Sequence, residues 1–160
     1  MKILLLTVGR LKKGPETLLY ERYAERIRKA GKAVGIGPVQ LLEIAESQSS
    51  TAQLRCASEG EKLIELSAPA DFSIALDEGG KSMNSRAFAE LLRQARDDGC
   101  RSVAFLVGGA DGHGPAIEKN ARFSLTLGRL TLPHGLARVV LTEQIYRAIT
   151  IMSGHPYHRD

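Results

Sequence analysis

Cysteine is nearly absent: Cys56 and Cys100 are the only two in the chain, and no Cys-x-x-Cys spacing occurs. That excludes a disulfide framework or a cysteine zinc site and leaves both as small core or half-buried side chains. Long apolar runs are missing too, so no membrane span is expected. The opening "MKILLLTVGRLKKG" lacks a small-residue cleavage site, and its glycine and charges arrive too early for a signal peptide. It reads as the first β-strand of a cytoplasmic protein. No Gly-x-Ser-x-Gly, His-Glu-x-x-His or Cys/His dyad is present, which weighs against hydrolase and metalloenzyme readings. His155 and His158 form a His-x-x-His pair, but Pro156 opposes a helix there and no third ligand is apparent; no metal is expected.

What is present fits one soluble globular domain spanning residues 1–160, with 43% hydrophobic and 25% charged residues. The net charge of +4 is unevenly spread. Residues 1–32 hold 9 Lys+Arg against 3 Asp+Glu, whereas residues 33–100 hold 6 against 11. Basic ends around an acidic middle are compatible with an anionic partner that meets both ends on one face, although plain solubility is the simpler account of a small positive excess.

Patterning alternates along the chain. Continuous apolar or β-rich stretches predict strands at Lys2–Val8, Val39–Ala45, Phe72–Asp77, Arg101–Val107 and Phe123–Leu130. Helical spacing predicts helices at Pro15–Ala30, Thr51–Leu66, Arg86–Asp98, Pro115–Arg122 and Pro133 to about Met152. Asn84 or Ser85 is the N-cap candidate of the third, and Gly99 its stop. Strands alternating with helices specify an α/β fold with a mainly parallel sheet. Ligands in such folds sit at the carboxyl ends of strands, so the informative loops follow Val8, Ala45, Asp77, Val107 and Leu130.

Four segments stand out. "VGGADGHG" (Val107–Gly114) puts paired glycines after a buried strand, where a ligand can approach the backbone, yet it matches neither the dinucleotide fingerprint nor a phosphate loop. "SLTLGRLTLPHG" (Ser124–Gly135) breaks a strand-like run at Gly128; its leucines are either core or one wall of an apolar slot for a flat heterocycle. "LTLPHGLARVVLTEQIYRA" (Leu130–Ala148) is greasy enough to be buried, yet carries His134, Arg138, Glu143, Gln144 and Arg147. The terminal "HPYHR" concentrates aromatic and cationic groups suited to stacking and phosphate contact, although a chain end is often merely frayed.

Taken together, "LVGGADG", "LTLPHGLARVVLTEQIYRA" and "HPYHR", in that order, resemble the RlmH family of SPOUT-class methyltransferases. The resemblance covers essentially the whole chain in length and element order, with its specific motifs in the C-terminal third. It implies a five- to six-stranded sheet with helices on both faces, and a C-terminal trefoil knot built from about residue 100 to 160. It implies S-adenosyl-L-methionine as methyl donor and N3 of a pseudouridine in 23S ribosomal RNA as acceptor, acted on by a homodimer; the modest net charge leans toward an assembled ribosome, not free RNA, as the substrate. Carried over by position, the donor contacts would be Leu76, Gly108, Leu127, Gly128, Arg129, Leu130, Thr131 and Leu132. His134, Arg138, Tyr157, His158 and Arg159 would serve the reaction or the RNA. His134, Tyr157 and His158 are the candidates to assist loss of the N3 proton, and the guanidinium forks of Arg138 and Arg159 match phosphate or carboxylate. Glu143 and Arg147 are spaced as an i,i+4 helix pair. The chain departs from the family pattern at Ala110-Asp111, Gly128-Arg129 and Asp160. Two other readings remain: a non-catalytic ribosome- or RNA-binding α/β domain, and a flavodoxin-like nucleotide- or flavin-binding protein.

Overall fold

The first strand shows why the chain folds as it does. In the computed structural model, which describes residues 1–159, β1 (Lys2–Val8) lies inside the sheet with six of its seven residues buried. Its side chains alternate between two cores: Ile3 and Leu5 face one, and Leu4, Leu6 and Val8 face the other. A strand covered on both faces has no solvent side on which to place polar residues, hence the unbroken apolar run.

The sheet holds β2 (Val39–Ile44), β1, β4 (Ser102–Val107), β3 (Phe72–Ser82) and β5 (Phe123–Thr126), in that spatial order. Every pairing is parallel. Helices α1 (Pro15–Ala30), α3 (Ser85–Asp97) and α5 (His134–Met152) contribute to the larger core, and α2 (Ala52–Ser67) and α4 (Pro115–Asn120) cover the opposite face. The five-stranded parallel sheet with helices on both sides is the α/β architecture expected from the alternation. Thr51 caps α2 by accepting from the Leu54 amide at 3.2 Å, and Asn84 caps α3 by accepting from the Ala87 amide at 2.8 Å.

Two strand boundaries differ from the sequence reading. β3 runs on to Ser82, five residues past Asp77, through a register break between Leu76 and Lys81 that lets Lys81 and Ser82 pair with β5. "DEGGKS" looks like a loop because it is polar and glycine-rich, but an edge ladder needs backbone groups rather than apolar side chains. β5 is shorter than expected and ends at Thr126. There the Thr126 hydroxyl accepts from the Gly128 amide at 3.1 Å and donates to the Gly128 carbonyl at 2.7 Å. Gly128 turns the chain with φ +145°, a conformation that L side chains rarely adopt.

Helix α5 is wedged between α1 and α3. Ten of its 19 residues are buried, among them Arg138, Thr142 and Thr150. The threonine hydroxyls are satisfied within the helix, Thr142 by the Arg138 carbonyl at 2.6 Å and Thr150 by the Arg147 carbonyl at 2.7 Å. Burial on several sides accounts for the greasiness of the segment; its charges need a separate explanation. Among the described residues no helix is long and apolar enough to cross a membrane.

Candidate active site

At the carboxyl ends of β3, β4 and β5 the chain encloses a cavity of about 740 Å³, within the range of small-molecule sites. Three segments wall it: Leu76–Glu78 at the register break within β3, Val107–His113 leaving β4, and the stretch from Thr126 to His134 that connects β5 to α5. Of the residues expected to touch a donor, Leu76, Gly108, Leu127, Gly128, Leu130, Thr131 and Leu132 all line this one cavity, although they come from three different parts of the sequence. Arg129 is not among its lining residues. Leucine side chains and exposed backbone predominate, with Asp77, Glu78 and Asp111 as the lining carboxylates.

The glycine turn is tightly built. A Cβ on Gly108 would lie 2.9 Å from the Gly112 carbonyl oxygen and 3.1 Å from Cε1 of His113, so no side chain fits there. The turn closes on itself through the Gly112 amide, which donates to the Gly109 carbonyl at 3.0 Å. Helix α2 grips it from behind. Arg55 makes a two-pronged ion pair with Asp111, at 2.7 and 3.1 Å, and the Cys56 thiol donates to the Asp111 carbonyl at 3.2 Å. The guanidinium bond from Arg55 holds the Asp111 carboxyl below its ordinary value, and burial pushes the Cys56 thiol up. The Ala110-Asp111 departure therefore places a carboxylate where it braces the turn.

His134 opens α5 and lines the cavity. Arg138, one turn later, does not, and the expectation that both face one site is corrected here. Its side chain is 2% exposed. One terminal nitrogen donates to Glu43 Oε1 at 2.7 Å; the other donates to the Val8 and Gly9 carbonyls at 2.7 and 2.6 Å. The same Glu43 oxygen accepts from the Leu11 amide at 2.8 Å. Arg138 thus ties α5 to the carboxyl ends of β1 and β2: its fork has found a carboxylate, inside the chain.

The C-terminal candidates also lie away from the cavity of their own chain, and none of them lines it. Tyr157 packs edge-on against Tyr146 at 4.9 Å between ring centres, and its hydroxyl donates to Glu143 Oε1 at 2.9 Å. Burial, then the Tyr23 and Glu143 partners, raise its phenol well above the ordinary tyrosine value, so in this arrangement it stays protonated. Glu143 pairs with Arg147 at 2.5 Å, the i,i+4 spacing at work, and Arg147 stacks over Tyr157 at 4.9 Å. His158 lies 3.4 Å from Arg147, and Arg159 is exposed. Asp160 lies outside the described residues. Among the described residues no group of three or more His, Cys, Asp or Glu is placed to hold a metal ion.

One lining residue, His113, was not singled out from the sequence. Its Nε2 lies 2.7 Å from the Leu76 carbonyl oxygen, which bridges two walls of the cavity. The available signal was an imidazole between two glycines directly after a buried strand.

Comparison with known proteins agrees with this geometry. A family model described as "Predicted SPOUT methyltransferase" matches residues 1–158. The Ribosomal RNA large subunit methyltransferase H of Rhizobium leguminosarum bv. trifolii (strain WSM2304) is 48% identical over 159 residues, covering 99% of each chain. That of Brucella anthropi is 46% identical over 159 residues, again covering 99% of each. Among solved structures, a probable methylase family protein from Haemophilus influenzae Rd KW20 superposes with a TM-score of 0.52 at 12% identity, over 99% of this chain and 70% of that one. That likeness supports the fold alone. With a whole-length family match and near-half identity to full-length relatives, the chain belongs to the SPOUT methyltransferase family.

Proposed function

We propose that this protein is an S-adenosyl-L-methionine-dependent methyltransferase acting on N3 of a pseudouridine in 23S ribosomal RNA. The observation that carries this reading is the single cavity at the strand ends, walled by Leu76, Gly108 and the Leu127–Leu132 stretch. Its apolar lining and its glycine cradle, with no room for a Cβ at Gly108, suit a flat heterocycle lying against main chain. When bound, the donor supplies a methyl group already activated on a sulfonium.

The protein's own task is then alignment and exclusion of water. The backbone and leucines around Leu76, Gly108 and Leu127–Leu132 hold the donor. The uracil ring must lose its N3 proton, and His134 is the candidate among three that lines the cavity; we assign it that role. Tyr157, His158 and Arg159 act on the RNA held by a second copy of the chain. Two features support a dimer: these residues lie away from their own chain's cavity, and Leu18, Leu130 and Leu136 are 68%, 81% and 42% exposed. A homodimer would bury that apolar surface and complete the site.

The C-terminal trefoil knot belongs to the same reading. The chain leaves β5 at one edge of the sheet, crosses the ends of β3 and β4, and enters α5, whose Arg138 reaches the end of β1. Such a crossing is what threading would require. A modest net charge of +4 limits affinity for RNA backbone alone, which favours recognition of an assembled ribosomal surface by shape, in the cytoplasm.

The test is reverse transcription of ribosomal RNA from wild-type and deletion strains. An N3 methyl blocks the Watson–Crick edge, so a polymerase stop in the wild type should vanish in the deletion and return with the gene; an unchanged pattern refutes the substrate. A thermal-shift panel separates the alternatives. Stabilisation by S-adenosylmethionine or its demethylated product, and not by FMN or NAD, is expected. Binding of none of them would favour the non-catalytic RNA-binding domain.

A further inference from the structure

We propose that His113 is a positioning residue of the donor cavity, a strut that sets the gap between the β3 register break and the glycine turn. This rests on the methyltransferase reading above. Leu76 is where the sheet begins to divide: it pairs with Val107 of β4 and Leu125 of β5, and immediately after it the β3 register with β5 breaks. The Leu76 carbonyl therefore sits at the lip of the cavity. His113 reaches it from the opposite wall, with Nε2 at 2.7 Å.

The bond fixes the tautomer. A carbonyl oxygen only accepts, so the Nε2 facing it carries a proton, which leaves Nδ1 as the ring's other polar atom. That Nδ1 is buried without a partner, and among the described residues it is the only such side-chain atom on a residue lining the cavity. A buried ring nitrogen without a partner is unfavourable, so the ring is placed there for what its other edge does. Its flank also lies over Gly108, where a Cβ would come within 3.1 Å of Cε1. One imidazole thus touches both a Leu76 atom and the Gly108 turn, the two fixed points of the donor site, while Arg55 and Asp111 hold the turn from outside. Without the strut the two walls are joined only through the sheet, and the slot loses its set width.

The experiment measures binding of S-adenosylhomocysteine by calorimetry, together with Michaelis constants for donor and RNA. His113→Leu keeps bulk without the donor hydrogen; His113→Gln returns an N–H at a similar reach. The leucine variant should bind the product about tenfold more weakly, the worth of one hydrogen bond, and raise KM for the donor while leaving KM for RNA unchanged. The glutamine variant should recover most of the loss. Wild-type affinity in the leucine variant, or equal loss in both variants, overturns the proposal. A second measurement needs no variant: the imidazole nitrogen spectrum of the intact protein should show His113 protonated at Nε2, and an Nδ1-protonated ring refutes the strut. If the wild type binds no product at all, the methyltransferase reading itself fails; if it binds and the leucine variant binds equally, only the role of His113 does.

Discussion

Replacing Arg138 decides between two uses of a buried guanidinium. Arg138→Ala would remove the partner of Glu43 and leave the Val8 and Gly9 carbonyls without their donor. It would also open a cavity where one of the largest fully buried side chains now sits. Burial pulls the Arg138 pKa down and Glu43 pushes it back up, so the partner offsets part of the cost of burying the charge. Breaking a buried pair by deleting one member costs about 3–5 kcal/mol. Because the Glu43 side chain is 24% exposed and can recruit water, the lower half of that range applies, or about 3–4 kcal/mol. In a protein of this size that is a fall in melting temperature of roughly 6–16 °C. Arg138→Lys, which can hold one or two of the three acceptors, should lose about half as much. Urea unfolding of wild type and both variants, alongside KM for RNA, measures this. If Arg138→Ala unfolds at the wild-type midpoint but binds RNA more weakly, the side chain serves the RNA and the reasoning is wrong.

Other outcomes follow from the same structure. Gly108→Ala should fold yet lose most affinity for S-adenosylhomocysteine in calorimetry, because its Cβ would lie 2.9 Å from the Gly112 oxygen and push the turn open. Tyr20 is buried and its pKa is raised to about 12, chiefly by burial and then by Glu43. The unfolded chain therefore releases this proton first, and stability should fall as pH rises from 10 towards 12, at up to about 1.4 kcal/mol per pH unit. Tyr20→Phe should flatten that fall in alkaline urea titrations. Mixing His134→Ala protein with Arg159→Ala protein should restore methylation that neither variant has alone, as one wild-type site can re-form in a mixed dimer; no rescue would mean that each chain supplies both residues to its own site.

How far the sequence could be read depended on how local each signal was. The strands β1 and β4 announced themselves because double-sided burial writes continuous apolar runs, Ile3–Leu6 and Val103–Val107, into consecutive residues. The helix cap at Asn84 is equally local, whereas Thr51, read as the first residue of its helix, is the residue that caps it. The tail of β3 was invisible because its pairing is carried by backbone groups beneath a polar, glycine-rich sequence. The cavity was half legible. Its glycine turn and the odd "LGRLTL" run were visible, but that Leu76 joins them depends on a parallel pairing that only the folded sheet creates.

The charges of α5 show where reading from sequence stops. Helical period puts His134 and Arg138 on one face, and nothing local tells one from the other. They differ because the cavity ends at the first turn of the helix, beside Ala137, while the next turn already faces the end of β1. Arg138 meets Glu43 from 95 residues away in sequence, and Val8 from 130. No periodicity carries contacts of that range. Glu143 and Arg147, four residues apart, could be paired in advance, but their link to Tyr157 could not. The polar groups of this buried helix therefore divide by depth along its axis: the first turn belongs to the ligand cavity, the second to the strand ends, and the later turns to the folded-back C-terminus and, at Gln144, to Ser85 of α3. A charge in such a helix is evidence of a partner; only the fold says whether that partner is a substrate or the protein itself.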